Sequence, residues 1–213
     1  TEKSGLMGLH PTQTASWGDY DGDGWLDLFV GYESEADDKH PCELFRNNQD
    51  GTFTEVAKAS GVANVGYVKA VVWGDYNNDG RPDLYLSRLG ATNVLYRNDG
   101  PVQVDSAAAQ SAWKFTDVSL QARVEQPLDS FPAWFWDYDN DGWQDIFVSG
   151  WRAPNSVADV AAGYQGLPHE GETPRLYRNN GNGTFSNVTA SAKLGRLLVA
   201  MGSNFGDVDN DGW

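Results

Sequence analysis

Residues 19–27 have the sequence DYDGDGWLD, in which aspartates alternate with other residues around a central Gly. The same arrangement recurs as DYNNDGRPD at 75–83 and as DYDNDGWQD at 137–145, and DVDNDGW at 207–213 is a shortened fourth copy. We call these segments loop one, loop two, loop three and loop four. Their shared pattern is D-x-[DN]-x-D-G-x-x-D, and we number its positions from 1 to 9.

The chemistry of this pattern predicts calcium sites. Ca²⁺ binds about six to eight oxygen atoms, and alternating carboxylates on a short loop can supply them. Positions 1, 3 and 5 would offer side-chain oxygens, position 7 its main-chain carbonyl, and position 9 a closing carboxylate. The Gly at position 6 permits a sharp turn because it has no Cβ atom. The alternative is a set of acidic, solvated Asp-Gly turns that bind no metal.

The predicted ligands follow directly from these positions, and they form three complete Ca²⁺ sites and a fourth that is truncated. They are Asp19, Asp21, Asp23, Trp25 and Asp27 in loop one; Asp75, Asn77, Asp79, Arg81 and Asp83 in loop two; Asp137, Asp139, Asp141, Trp143 and Asp145 in loop three; and Asp207, Asp209, Asp211 and Trp213 in loop four.

The loops differ from the helix-flanked EF-hand, which needs a bidentate Glu at position 12. Position 12 is Val30, Leu86 or Val148 here, each within a short run rich in β-branched and aromatic residues. Such runs are typical of strands. Each loop is therefore expected to join two strands.

Further landmarks follow each loop in the same order. A Leu-aromatic-Arg-Asn motif occupies 44–47, 95–98 and 176–179, and a Phe that opens another apolar run follows at 53, 115 and 185. Each unit is then predicted to contain four strands, A to D, with the metal loop between strands A and B. Four-stranded antiparallel units in series predict an all-β fold made of β-propeller blades.

A constant spacing places the units along the chain. It runs from Phe53 to Asp75, from Phe115 to Asp137 and from Phe185 to Asp207, 22 residues each time. We expect blades at 14–60, 67–122 and 129–194, with 1–13 ending a preceding blade and 198–213 beginning the next. About three blades are present, so we expect them to be part of a larger ring, because propellers close with about four to eight.

The composition favours some partners and excludes others. The formal net charge is −15, and the Asp-rich loops supply much of it. This acidity argues against binding to nucleic acids or to anionic membranes. Cys42 is the single cysteine, so an internal disulfide is impossible. No apolar run reaches the length needed to cross a membrane.

The ordered set of motifs resembles the FG-GAP/VCBS repeat family, which forms integrin-α-like propellers. Trp17-Gly18-Asp19 and Phe205-Gly206-Asp207 correspond to its Phe-Gly element, and the Asp-rich loop corresponds to its calcium element. The motifs from Leu176 to Thr189 are closer to the cartilage acidic protein and UnbV-like branch. The resemblance implies a secreted or surface-exposed seven-bladed propeller in which calcium is structural and the opposite face meets partners.

This resemblance leads to our expectation of function. The module is expected to act in recognition or adhesion outside the cell, at the cell surface or in the periplasm. A protein or glycan ligand would bind the face opposite the calcium loops, and the long insertion at 149–174 is a candidate contact. The alternative for this insertion is a packing loop.

Two other functions remain open from the sequence. A calcium-dependent polysaccharide lyase would need a proton acceptor, for which Arg152 and His169 are the visible candidates. However, His10, His40 and His169 lie beside prolines and match no catalytic motif, so an enzyme is the weaker hypothesis. The third possibility is a structural subunit of a larger surface assembly.

Overall fold

The computed structural model describes residues 3–8, 10–102, 112–152, 156–198, 200–203 and 206. It confirms the all-β prediction, with three four-stranded antiparallel sheets in series. The first sheet contains β1 (Thr12–Gly18), β2 (Asp27–Tyr32), β3 (Glu43–Asn47) and β4 (Phe53–Glu55). The second contains β5 (Val68–Gly74), β6 (Asp83–Arg88), β7 (Val94–Val102) and β8 (Ala112–Asp117). The third contains β9 (Ser130–Trp136), β10 (Asp145–Gly150), β11 (Arg175–Asn179) and β12 (Phe185–Asn187).

Each sheet is a simple meander, as expected for a propeller blade. We call the sheets blade one, blade two and blade three. In each blade the metal loop closes the hairpin between the first two strands, and the register is the same every time. The residue before position 1 pairs with the Asp at position 9, as Gly18 does with Asp27 and Gly74 with Asp83. The repeated sequence thus forms the same local structure three times.

Neighbouring blades pack through their first strands. Strand β5 lies against β1 and β2, and β9 lies against β5 and β6. At the first joint the ring of Trp73 covers Gly18, where a Cβ atom would lie 2.7 Å from that ring. At the second joint Phe135 covers Gly74 in the same way, at 2.5 Å. Blade three has Trp136 where the other two have this Gly.

The hydrophobic core lies between blades rather than within one. The cluster at the first joint contains Phe29 and Leu44 from blade one and Leu84 and Leu86 from blade two, and all four are fully buried. A second cluster joins blade two to blade three around Tyr85 and Ile146. A sheet that is apolar on both faces needs another sheet packed against each face. This requirement explains why the units occur in series.

Within the described residues, the structure adds three helices that the sequence patterns did not predict. The links between blades contain α1 (Ala57–Ser60) and α2 (Ser119–Ala122), and the insertion at 149–174 contains α3 (Val157–Tyr164). The connection between β7 and β8 begins and ends as an extension of these two strands. Pro101 pairs with Trp113, and Val102 pairs with Ala112.

The start of the chain was predicted to be the end of a preceding blade. Residues 3–8 contain turns, and the Ser4 carbonyl accepts a hydrogen bond from the Phe53 amide of blade one. Strand β1 begins at Thr12, two residues before the predicted start of the first blade. The assignment of 1–13 and 198–213 to further blades stays a prediction.

Candidate metal centre

The aspartate at position 1 shapes each loop from within. In loop one, Asp19 Oδ1 accepts a hydrogen bond from the Asp23 amide at 3.0 Å, and Oδ2 accepts one from the Gly24 amide at 2.9 Å. Asp75 and Asp137 make the same pair of contacts in loops two and three. The carboxylate of position 1 therefore lies on the inner side of the turn, where it accepts hydrogen bonds from the amides of positions 5 and 6.

Two positions of the loop adopt left-handed backbone. The Gly at position 6 has a φ of 87° in loop one, 81° in loop two and 86° in loop three, which confirms the reason given for Gly there. Position 4 is also left-handed, with φ values of 69° at Gly22, 55° at Asn78 and 53° at Asn140. Position 4 was not identified from the sequence. Its restriction to Gly and Asn was a visible signal, because these residues tolerate left-handed backbone best.

The aspartate at position 9 is the buried anchor of the site. Asp83 has no exposed surface, and its two oxygens accept from the Asn98 amide at 2.7 Å and from the Tyr76 amide at 3.2 Å. Asp27 and Asp145 are held by the equivalent amides. Burial raises the pKa of Asp27 and of Asp83 to about 7, because an isolated carboxylate loses hydration there. A bound dication would favour the charged form.

Loops one and three bring three carboxylates together. The oxygens of Asp19, Asp21 and Asp27 lie within 4.8 Å of one another, and so do those of the matching residues in loop three. Loop two forms no such triad of acidic groups within the described residues, because its position 3 is Asn77. Clustered hard oxygens of this kind suit a hard divalent cation such as Ca²⁺.

One oxygen in loop three has no partner. Asp139 Oδ1 is buried and accepts no hydrogen bond, while Oδ2 of the same carboxylate accepts from Arg178 Nε. A buried carboxylate oxygen without a hydrogen-bond donor destabilises the fold, because the oxygen has lost its hydration and forms no hydrogen bond in the protein. A cation held among Asp137, Asp139 and Asp145 would supply the missing interaction. The residues present therefore fit a calcium ion in loop three.

The arginine that ends the Leu-aromatic-Arg motif borders the loop from outside. Arg178 donates from Nη2 to Asp141 Oδ2 at 2.8 Å, in addition to its contact with Asp139. Arg97, its counterpart in blade two, pairs with Asp99 instead, at 2.7 Å. The sequence analysis treated this arginine only as a landmark. Its recurrence after each of the three acidic loops was the signal that could have shown an electrostatic role.

The asparagine after this arginine connects the loop to its surroundings. The Asn98 side chain donates to the Pro82 carbonyl of its own loop and to the Tyr20 carbonyl of the preceding blade, at 3.1 and 2.8 Å. Its own amide is the donor to Asp83. The buried side chain of Asn98 therefore connects its own metal loop and the end of its strand to the neighbouring blade.

The remaining sequence-predicted residues lie elsewhere. Loop four falls outside the described residues, so its predicted ligands stay predictions. Arg152 donates from Nε to Asp129 at 2.7 Å, which ties the insertion to the link before blade three. His169 lies near Gly163 of α3. These contacts give both residues a packing role in the insertion.

Beside loop one lies an open pocket of about 460 Å³, lined by Asp21, Asp23, Arg46 and the turn at 47–50. The carboxylates of Asp21 and Asp23 are therefore reachable from solvent. No helix among the described residues is long and apolar enough to cross a membrane.

Comparison with known proteins agrees with this geometry. The family model of the FG-GAP-like repeat matches residues 15–86 and again 137–213. No curated protein matches the chain significantly. The two matched ranges contain loops one to four and together cover more than half of the sequence. On these grounds the chain belongs to the FG-GAP-like repeat family.

Proposed function

We propose that the Asp-rich loops hold structural calcium ions, in a propeller module that recognises a protein or a glycan outside the cytoplasm. The observation that carries the calcium assignment is the acid triad of loop three with its unpartnered oxygen, Asp139 Oδ1. Three carboxylates within 4.8 Å repel one another, and one of them is fully buried. A dication neutralises this repulsion and supplies the interaction that the buried oxygen lacks.

The chain's own residues prepare these sites. Asp19 and Asp137 set the turn, and Asp27 and Asp145 anchor it to the strand end. Position 7 would offer its main-chain carbonyl to the ion. Calcium would supply positive charge at the end of each blade and so hold strands A and B together. Because the asparagine at the end of strand C also contacts the neighbouring blade, this stiffening extends across the joint.

Thermal unfolding in the presence of calcium or a chelator tests this assignment. A ligand that binds only the folded state raises its stability by about 2.7 kcal/mol at a hundredfold excess over Kd. We expect calcium to raise Tm strongly and magnesium much less, since Mg²⁺ demands a smaller and stricter coordination shell.

A matched pair of variants makes the test specific. Asp137→Asn in loop three should reduce the calcium-dependent rise in Tm, whereas Asp37→Asn, at an exposed position outside the loops, should leave it unchanged. Equal Tm values with calcium and with chelator would refute calcium binding and leave the loops as acidic turns.

The proposed recognition surface is the face opposite the metal loops. The insertion at 149–174 leaves blade three at that end, because it joins β10 to β11 whereas loop three joins β9 to β10. Its helix exposes apolar side chains to solvent, with Val157 87 % and Tyr164 69 % exposed. Exposed apolar residues on a rigid scaffold favour a binding role.

Binding to arrays of glycans and extracellular proteins tests this surface. The double variant Val157→Ser/Tyr164→Ser should lose binding that the unmodified chain shows. Val102→Ser, at a 42 % exposed position where β7 runs into its connection to β8 on the metal-loop side, is the matched control and should retain it. Equal binding by both variants would remove the insertion from the recognition surface.

A further inference from the structure

Loop two departs from loops one and three at two of the positions where those two loops are identical. Position 3 is Asn77 in place of an Asp, and position 7 is Arg81 in place of a Trp. The first change removes a negative charge from the loop, and the second adds a positive one. Loop one thus has four carboxylates, whereas loop two has three carboxylates and a guanidinium.

The guanidinium of Arg81 lies against the loop rather than in solvent. Its Nη2 donates to Asp79 Oδ2 at 2.5 Å, and its Nε donates to the Asn98 carbonyl at 3.0 Å. The aliphatic part of the side chain lies over Gly100, where a Cβ atom would be 3.5 Å from Arg81 Cδ. The cation is therefore held between the metal loop and strand β7.

The carboxylate of Asp79 is fully engaged by donors of the loop itself. Oδ1 accepts from the Arg81 amide at 3.0 Å, and Oδ2 accepts from both the Arg81 guanidinium and Asn77 Nδ2, the latter at 2.8 Å. Asn77 thus presents a donor toward position 5, where Asp21 and Asp139 present carboxylates. A metal ion would have to displace these contacts.

Loop three also has a neighbouring arginine, but its arrangement is different. Arg178 contacts the Oδ2 atoms of Asp139 and Asp141 from strand β11 and leaves Asp139 Oδ1 without a partner. The triad of Asp137, Asp139 and Asp145 is complete beside it. In loop two, the described acidic groups form no triad.

We infer that Arg81 is the internal counter-ion of loop two, so that this loop keeps its shape without calcium and binds the ion far more weakly than loops one and three. The inference rests on the proposed calcium function and refines its predicted count of three complete sites to two strong ones. Its physical basis is that ligand charge tunes the Kd of calcium loops over several orders of magnitude. We expect loop two to bind at least about a hundredfold more weakly than loop one.

Counting bound ions by native mass spectrometry at micromolar calcium tests the inference. Asp19→Asn and Asp137→Asn should each lose one ion, whereas Asp75→Asn should keep the wild-type count. Conversely, Asn77→Asp/Arg81→Trp gives loop two the residues of its neighbours and should bind one ion more than wild type. Arg196→Trp, which removes the same charge outside the loops, should leave the count unchanged.

Thermal unfolding in chelator supplies a readout that does not depend on bound metal. Arg81→Gln should lower Tm there because loop two loses its counter-ion, and Arg196→Gln should not. Loss of an ion by Asp75→Asn, or no gain by the double variant, would overturn the inference. If wild type bound no calcium at all, the proposed function would fail, and the chelator experiment would still decide whether Arg81 stabilises loop two.

Discussion

The side-chain amide of Asn179 in blade three donates a hydrogen bond to the main-chain carbonyl of Tyr76 in loop two, at 2.7 Å. Asn98 makes the same bond to Tyr20 one blade earlier. Each of these asparagines also donates its main-chain amide to the buried Asp of its own metal loop. A repeated side chain therefore connects the metal loops of consecutive blades.

Replacement of this asparagine should weaken the joint between blades. Asn179→Ala removes donors to Tyr76 and Gln144 and leaves two buried carbonyls without partners. Since a lost buried hydrogen bond costs about 1–3 kcal/mol, we expect a loss of about 2–4 kcal/mol in the free energy of unfolding. Urea denaturation measures it.

The matched control is Asn47→Ala in blade one. Asn47 Nδ2 donates to the Leu26 carbonyl of its own loop and, within the described residues, to no other blade. Its replacement should cost about 1 kcal/mol less. Equal losses for the two variants would show that the cross-blade bond contributes nothing.

The glycine under the aromatic ring at each joint should be intolerant of a side chain. A Cβ at Gly74 would lie 2.5 Å from the Phe135 ring, so Gly74→Ala forces the ring and Gln144 to move. Such overpacking costs about 1–3 kcal/mol. Gly195→Ala is the control, because nothing lies within 4 Å of its Cβ position. Tm values for both variants decide the point, and a Tm for Gly74→Ala equal to that of the control would contradict it.

Positions 3 and 9 of loop three should have separable roles. Asp145 accepts two main-chain amides in a buried site, so Asp145→Asn leaves one of them without an acceptor and should lower Tm even in chelator. Asp139 has an unpartnered oxygen, so Asp139→Asn should lower Tm mainly when calcium is present. Both variants are measured with calcium and with chelator. If Asp145→Asn lowered Tm only in the presence of calcium, the two positions would not have these separate roles.

The thiol of Cys42 should be unreactive in the folded protein. The side chain is buried, and burial raises its pKa to about 11, so little thiolate forms near neutral pH. Labelling with a thiol reagent at pH 7.5 should therefore follow unfolding and accelerate in urea. Because the folded state holds the proton more tightly, the stability from this group is present below about pH 9 and is lost as the pH rises towards 11. Rapid labelling under native conditions would contradict the burial.

The local parts of the fold could be predicted from the sequence. The Asp-rich loop with Gly24 at position 6, the strand that follows it and the Leu-aromatic-Arg-Asn motif recur in the same order, and the structure forms them three times as predicted. This succeeds because a turn and its two strands depend on neighbouring residues. The helix at Val157–Tyr164 escaped prediction because the insertion occurs once and repeats nothing.

The sequence alone determined the blade unit, its antiparallel strand order and the aspartates that form the candidate site. Only the tertiary structure decided that Asn179 contacts the blade before its own and that Trp73 covers Gly18. Such contacts join residues far apart in the chain, and several end on main-chain carbonyls that every residue carries. No local pattern can encode them, because they arise only when one blade packs against the next.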